Sequence, residues 1–228
     1  MNDKMDLRIP KKSATLRSMV EEHLRRAIAT GMFKPGDRLI ERELCEMLDV
    51  SRTSLREAIR QLEAEGVVTS LPHRGPVVST LDASEVAQLY RMRELLEGYC
   101  GREFARTGTE EEIEQLKAAA ESFATAAENL GADGLIEEKT RFYSYLMAGS
   151  RNKFVQESLL RLQNRIIFLR MSSMSQPGRL EQSISEIREI VSAIAARDPD
   201  RAEAACVLHI RNAAKSCLKA FPRDEGTP

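Results

Sequence analysis

The tightest constraint on the fold is a spacing in ERELCEMLDVSRTSLREAIRQLEAEG, residues 41–66. Leu44 and Leu48 mark one face of a short helix, about 41–48. Leu55, Ile59 and Leu62 mark one face of a second, about 52–65, which stops at Gly66. Only the tight turn at Asp49-Val50 and the capping hydroxyl of Ser51 separate the two. Two helices joined by so short a turn form a helix-turn-helix. Arg52, Arg56 and Arg60 recur every four residues, so they share one face of the second helix, apart from its apolar face. Ser51, Thr53 and Ser54 crowd its first turn. Such a ridge is either a solvated basic face balanced by Glu57, Glu63 and Glu65 or the face of a helix that lies in a nucleic-acid groove.

The flanking sequence favours the groove. Residues 14–30 carry Leu16, Val20, Leu24, Ala27 and Ile28 in a helical stripe, stopped by Gly31 and by the turn at Pro35-Gly36. After Gly66, VVTSLPHRGPVVSTL places Val67-Val68 and Val77-Val78 around a tip at His73-Arg74-Gly75, a two-stranded hairpin. Three helices followed by a hairpin make a winged helix-turn-helix over residues 14–80, preceded by a polar tail, 1–13. From residue 81 to 222 the periodicity is helical throughout, with helices expected near 82–106, 109–129, 132–149, 152–173, 178–196 and 198–221. Asp198-Pro199 reads as an N-cap followed by proline at the first helical position. Short loops between six helices make an antiparallel bundle, and residues 223–228 are a terminal tail. The fold expected is therefore mainly α, with aromatics at 5% and no tryptophan.

Residues 1–80 hold 14 Lys/Arg against 12 Asp/Glu, and the remainder 20 against 23, a weak asymmetry in favour of a polyanionic partner for the first part. Cys45, Cys100, Cys206 and Cys217 form no CxxC pair. Cys45 and Cys100 fall in apolar helical patterns and read as buried thiols of a reducing cytoplasm. The first 20 residues lack a signal-peptide core and no later run suits a membrane span, so the expected location is cytoplasmic and nucleoid-associated. No HExxH, GxSxG or phosphate-cradling glycine loop is present, which argues against an enzyme.

In a helix-turn-helix the first turns of the second helix reach base edges, while hydroxyls and flanking cations hold phosphates. Arg52 and Arg56 are the expected base contacts, since arginine bonds guanine bidentately. Ser51 and Thr53 stand beside them, Arg42 opens the preceding helix, and Arg74 with Gly75 forms the wing tip. Arg60, two turns in, is explained by pairing with the neighbouring glutamates. PGDRLIERELCEMLDVSRTSLREAIRQLEAEGVV followed by HRG resembles the N-terminal domain of GntR-family bacterial transcription regulators. The resemblance implies operator contacts at Arg42, Arg52, Thr53, Arg56 and Gly75. Ser54-Leu55 departs from the Pro-Val common there.

The second part resembles, more loosely, the FCD domain of the FadR-type branch, through RELLE (Arg93, Glu97), RFYSYLMAGSRN and AIAARDPDRAEAACVLHI. Many such domains bind a metal through an Asp and three His. At the corresponding positions this chain has Lys139, Tyr143, Ile187 and His209, so no metal and no other cofactor is expected. Lys139, Tyr143 and His209 can instead line an effector pocket with Arg93. Arg141 and Arg165 are further cations, and Phe142, Leu146, Ile166, Phe168 and Leu208 are possible walls. The expected protein is a homodimer on double-stranded, pseudo-palindromic operator DNA. It represses a metabolic operon and responds to an anionic small molecule such as an organic acid or acyl compound. The alternative is a DNA-binding dimer whose helical domain only dimerises.

Overall fold

The computed structural model describes residues 11–129, 131–165, 169, 173, 174, 176–219 and 221. The first part contains α1 (Lys11–Ala29), α2 (Glu41–Leu48), α3 (Arg52–Ala64), β1 (Val68–Leu71) and β2 (Gly75–Val78). Residues 11–13, expected in the tail, are thus the first residues of α1; most of the tail lies outside the described residues. Val20, Leu24 and Ile28 of α1 pack on Leu55, Ala58, Ile59 and Leu62 of α3, and Leu44 of α2 closes this core. Leu16, expected in the same stripe, is exposed because α1 overshoots the core at its N-terminal end.

Asp49 makes the turn in the left-handed region (φ 51°), and Ser51 Oγ accepts from the Ser54 amide at 3.2 Å, capping α3. The strands pair antiparallel from Val68↔Val78 to Leu71↔Gly75. Their tip is the turn Leu71-Pro72-His73-Arg74, closed by Arg74 N–H to Leu71 O at 3.1 Å. Gly75 follows at φ 79°, where a residue without Cβ costs least. A bridge at Arg38↔Val77 ties the segment before α2 to the wing.

The second part contains α4 (Ala83–Thr107), α5 (Glu110–Asn129), α6 (Ala132–Gly149), α7 (Lys153–Arg165), α8 (Arg179–Ala195) and α9 (Pro199–Leu218). Asp82 and Glu85 close a capping box on α4, and Asp198 caps α9 by accepting from the Arg201 amide, with Pro199 in the first turn. The expected helix over 152–173 starts one residue later, at Lys153, and runs as α7 to Arg165; residues 166–168 and 170–172, including the proposed walls Ile166 and Phe168, lie outside the described residues. The expected helix over 198–221 ends at Leu218.

α4 is the spine, against which α6, α7, α8 and above all α9 pack. Small residues permit that closest approach. A Cβ on Gly101 would stand 2.6 Å from Cys206 Sγ and 2.9 Å from the Ala202 carbonyl. Phe104, Phe123, Phe142, Leu116, Leu146, Ile187 and Ile210 fill the interior. All four cysteines are free thiols. Burial pushes Cys100 up to about 12 and Cys217 to about 11, so both stay protonated. Cys45, expected buried, is half-buried because α2 is a short helix of eight residues at the surface. Among the described residues no helix is long and apolar enough to cross a membrane.

Candidate nucleic-acid interface and buried polar cluster

The head presents its basic residues outward. Arg42, in the first turn of α2, and Arg52, Thr53, Arg56 and Arg60 of α3 are exposed, as is Arg74 at the wing tip. Ser51 is exposed too, but its hydroxyl is engaged by the Ser54 amide and lies 3.0 Å from Ser54 Oγ. Arg56 alone of these cations is held. Its Nε lies 3.0 Å from both oxygens of Glu41, and its Nη2 lies 2.9 Å from Oε2. That hydrogen bond and the carboxylate's charge raise the Arg56 pKa further, so it is permanently cationic.

The pairing expected for Arg60 is not formed. Glu63 accepts from Ser70, and Glu65 accepts from Arg25 at 2.6 Å, Gln61 at 2.9 Å and Asn164 at 3.1 Å. Both glutamates face back toward the wing and the helical domain, leaving Arg60 on the basic face. Among the described residues, Arg42, Arg52, Arg60 and Arg74 make no ion pair.

The helical domain holds a connected polar cluster in its core. Tyr143 Oη lies 3.0 Å from His209 Nε2, and His209 Nδ1 lies 2.6 Å from Glu186 Oε2. A carboxylate only accepts, so Nδ1 carries the proton and Nε2 accepts from the tyrosine. Asn212 donates to the other oxygen of Glu186 at 2.7 Å. Lys139 Nζ donates to Ser183 Oγ at 3.1 Å and lies 5.3 Å from the Phe123 ring centre. Arg93, 2% exposed, bonds Glu97, 1% exposed, at 2.7 Å, and its guanidinium lies 5.5 Å from the Tyr143 ring centre. The four residues expected at an effector site are therefore assembled together.

Burial drives the His209 imidazole down to about 4 despite its bond to Glu186, so at neutral pH the contact is a hydrogen bond and not an ion pair. Burial opposes ionisation of Glu186, but the bonds from His209 and Asn212 and the charge of Arg179 outweigh it and hold the carboxylate below its usual value. Burial likewise opposes the charge on Arg93, and Glu97, with Tyr143 and Tyr90, more than restores it.

Arg179 was not legible as a member of this cluster. It is 5% exposed, and its Nη1 stands 2.9 Å from Glu186 Oε2. The N–H groups are not aimed at that oxygen, and both Nη1 and Nη2 lie buried without a hydrogen-bond partner among the described residues. Arg179, Ser183 and Glu186 sit at i, i+4 and i+7 on α8, a helical stripe that the sequence contains but that stands amid apolar neighbours. Three expected members lie elsewhere. Arg141 is exposed and pairs with Glu138, Arg165 is exposed beside Gly66, and Leu208 points to solvent. Arg141 and Leu208 sit on the outward faces of their helices, and Arg165 faces the head.

The donors at the metal positions do not suit a divalent ion. An ammonium replaces the carboxylate, fully buried Ile187 replaces one imidazole, and both nitrogens of His209 are already bonded. Among the described residues no group of three His, Cys, Asp or Glu is placed to hold a metal.

A winged helix-turn-helix with an exposed arginine ridge, joined to a helical domain with a polar heart, defines a DNA-binding regulator. The family model for bacterial regulatory proteins of the gntR family matches residues 16–78, and the FCD domain model matches residues 88–212. The chain belongs to the GntR family of transcriptional regulators and carries an FCD domain. It is 31% identical over 182 residues to the Nta operon transcriptional regulator of Aminobacter aminovorans, covering 78% of this chain and 83% of that one. It is 26% identical over 193 residues to the transcriptional repressor RspR of Escherichia coli K12, with 85% of each chain covered. A GntR regulator from Rhodococcus sp. RHA1 superposes with a TM-score of 0.78 at 25% identity, over 91% of this chain and 100% of the other. The E. coli protein McbR/YncC shares the fold, with a TM-score of 0.76 at 22% identity over 86% and 93% of the two chains.

Proposed function

We propose that the protein is a repressor that binds a pseudo-palindromic operator as a homodimer and is tuned by an anionic small molecule in the helical domain. The observation that carries the DNA reading is the outward row of arginines on α3, flanked by Arg42 and Arg74. Arg52 and Arg56 read guanines, Ser51 and Thr53 stand by the backbone, Arg42 holds a phosphate, and Arg74 with Gly75 brings the wing to the duplex. Two heads are needed for two half-sites. The exposed stripe of Met92, Leu95 and Tyr99 on α4 (48%, 69% and 37%) is the apolar surface that a second copy would cover.

The effector reading rests on charge and unmet donors. Lys139 and Arg179 are cationic, Glu186 is anionic and His209 is neutral, so the cluster carries one net positive charge. Arg179 supplies two unsatisfied nitrogens to a carboxylate that approaches it, with Lys139, Tyr143, His209 and Arg93 around it. The mutual bonding of Tyr143, His209, Glu186 and Asn212 favours a second reading, in which this core only braces a dimerisation domain.

Arg52→Ala is expected to cost specific binding about 1–3 kcal/mol, and Arg42→Ala to weaken all DNA and reduce the salt slope by about one. Fluorescence anisotropy with selected and scrambled duplexes measures both. Parental specificity in Arg52→Ala refutes the base contact. Thermal shifts with small carboxylates, with and without chelator, separate the effector reading from the dimeriser reading.

A further inference from the structure

We infer that Glu41 is a positioning residue for base reading, fixing Arg56 so that only its end edge is offered to a guanine. The inference rests on the reading that Arg56 faces the major groove. Glu41 opens α2 and reaches Arg56 across the helix-turn-helix, 15 residues away. Its carboxylate takes the side edge of the guanidinium, Nε and the neighbouring hydrogen of Nη2. A guanidinium has five N–H groups. Those left are both hydrogens of Nη1 and the outer hydrogen of Nη2. One Nη1 hydrogen and that outer Nη2 hydrogen form the end edge, two parallel donors matched to the O6 and N7 acceptors of guanine, while the other Nη1 hydrogen faces the Cδ side.

This arrangement acts on specificity in two ways. First, the long side chain is ordered before DNA arrives, so less freedom is lost when the base contact forms. Secondly, the carboxylate cancels most of the arginine's charge at a distance. A free arginine is drawn to any phosphate, whereas a neutralised one gains mainly from directional bonds to the right base. Arg52, at the start of the same ridge, has no such partner among the described residues. Arg56 is therefore the discriminating arginine of the pair, and Arg52 the more strongly electrostatic one.

The test is selection from a random double-stranded DNA pool by the full chain, comparing the parent with Glu41→Gln, Glu41→Asp, Arg56→Ala and Glu41→Gln/Arg56→Ala. The parent is expected to select a two-fold motif with a guanine in each half-site that Arg56→Ala no longer prefers. Glu41→Gln should keep the other positions, lose about tenfold of the preference at that guanine, and bind a scrambled duplex several-fold more tightly. Glu41→Asp keeps the charge but shortens the reach, and should lose the same preference without the gain on scrambled DNA. The double variant should match Arg56→Ala at that position. Full guanine preference in Glu41→Gln, or losses at positions that Arg56→Ala leaves intact, overturns the inference alone. A motif unchanged in Arg56→Ala, or no motif for the parent, overturns the base-contact reading and this inference with it. Melting curves identify any variant that has unfolded, and the two glutamate variants provide separate readings.

Discussion

His209 gives a pH dependence that follows from its surroundings. It is fully buried, and its pKa falls from an ordinary 6.5 to about 4. The unfolded chain therefore takes up a proton near pH 6.5 that the folded protein refuses until about pH 4. The histidine's contribution is fully present above about pH 6.5 and is lost as the pH falls through that window. Integrating the difference in bound protons from pH 7, the loss is about 2 kcal/mol by pH 5 and about 3 kcal/mol by pH 4. For a chain of this size, 2 kcal/mol lowers Tm by about 4–8 °C. The assay is circular dichroism melting at pH 7 and pH 5, for the parent and for His209→Gln. The glutamine keeps a donor for Glu186 but cannot take up the proton. The parent should lose about 4–8 °C more than the variant over this interval, so that carboxylates titrating in both cancel. Equal losses, or an NMR titration placing His209 near 6.5, would refute the reasoning.

Glu97→Gln should cost about 3–5 kcal/mol in urea unfolding, because it strands the buried charge of Arg93, and Arg93→Met/Glu97→Leu should recover most of it. Gly101→Ala should lose about 1–3 kcal/mol, since the new methyl meets Cys206 Sγ and the Ala202 backbone, and Cys206→Ala should relieve only the first of these. Leu95→Glu should give a monomer by light scattering and weak operator binding, whereas an unchanged dimer would exclude the α4 stripe as the interface.

The head was legible because its signals are local. The short turn at Asp49, the Ser51 cap and the i, i+4 arginines each depend on residues a few positions apart. The partners of those arginines were not legible. Nothing in the spacing of Glu41 and Arg56 says that α2 and α3 cross where these side chains meet, and the nearer Glu63 and Glu65 are drawn away by Ser70, Arg25 and Asn164. In the helical domain, Lys139, Tyr143 and His209 are legible only through the resemblance, as the residues at three of its metal-ligand positions. Arg179 and Glu186 are not legible, because they meet Lys139, Tyr143 and His209 from another helix. A helical period marks the buried face but does not say which polar group on it meets which.

Glu65 sits at the joint between the two parts. Its carboxylate is shared by Arg25 of α1 and Asn164 of α7, just beyond the last turn of α3. Arg25 and Glu65 both belong to the head, so a reorientation of head against helical domain keeps their ion pair and gives up the Asn164 amide bond. Such a contact is worth about 1 kcal/mol after screening by water. At about 1.4 kcal/mol per tenfold change, losing this contact changes the balance between two arrangements of the parts by about fivefold. A bond of this size grades such a balance and is too weak to make it all-or-none.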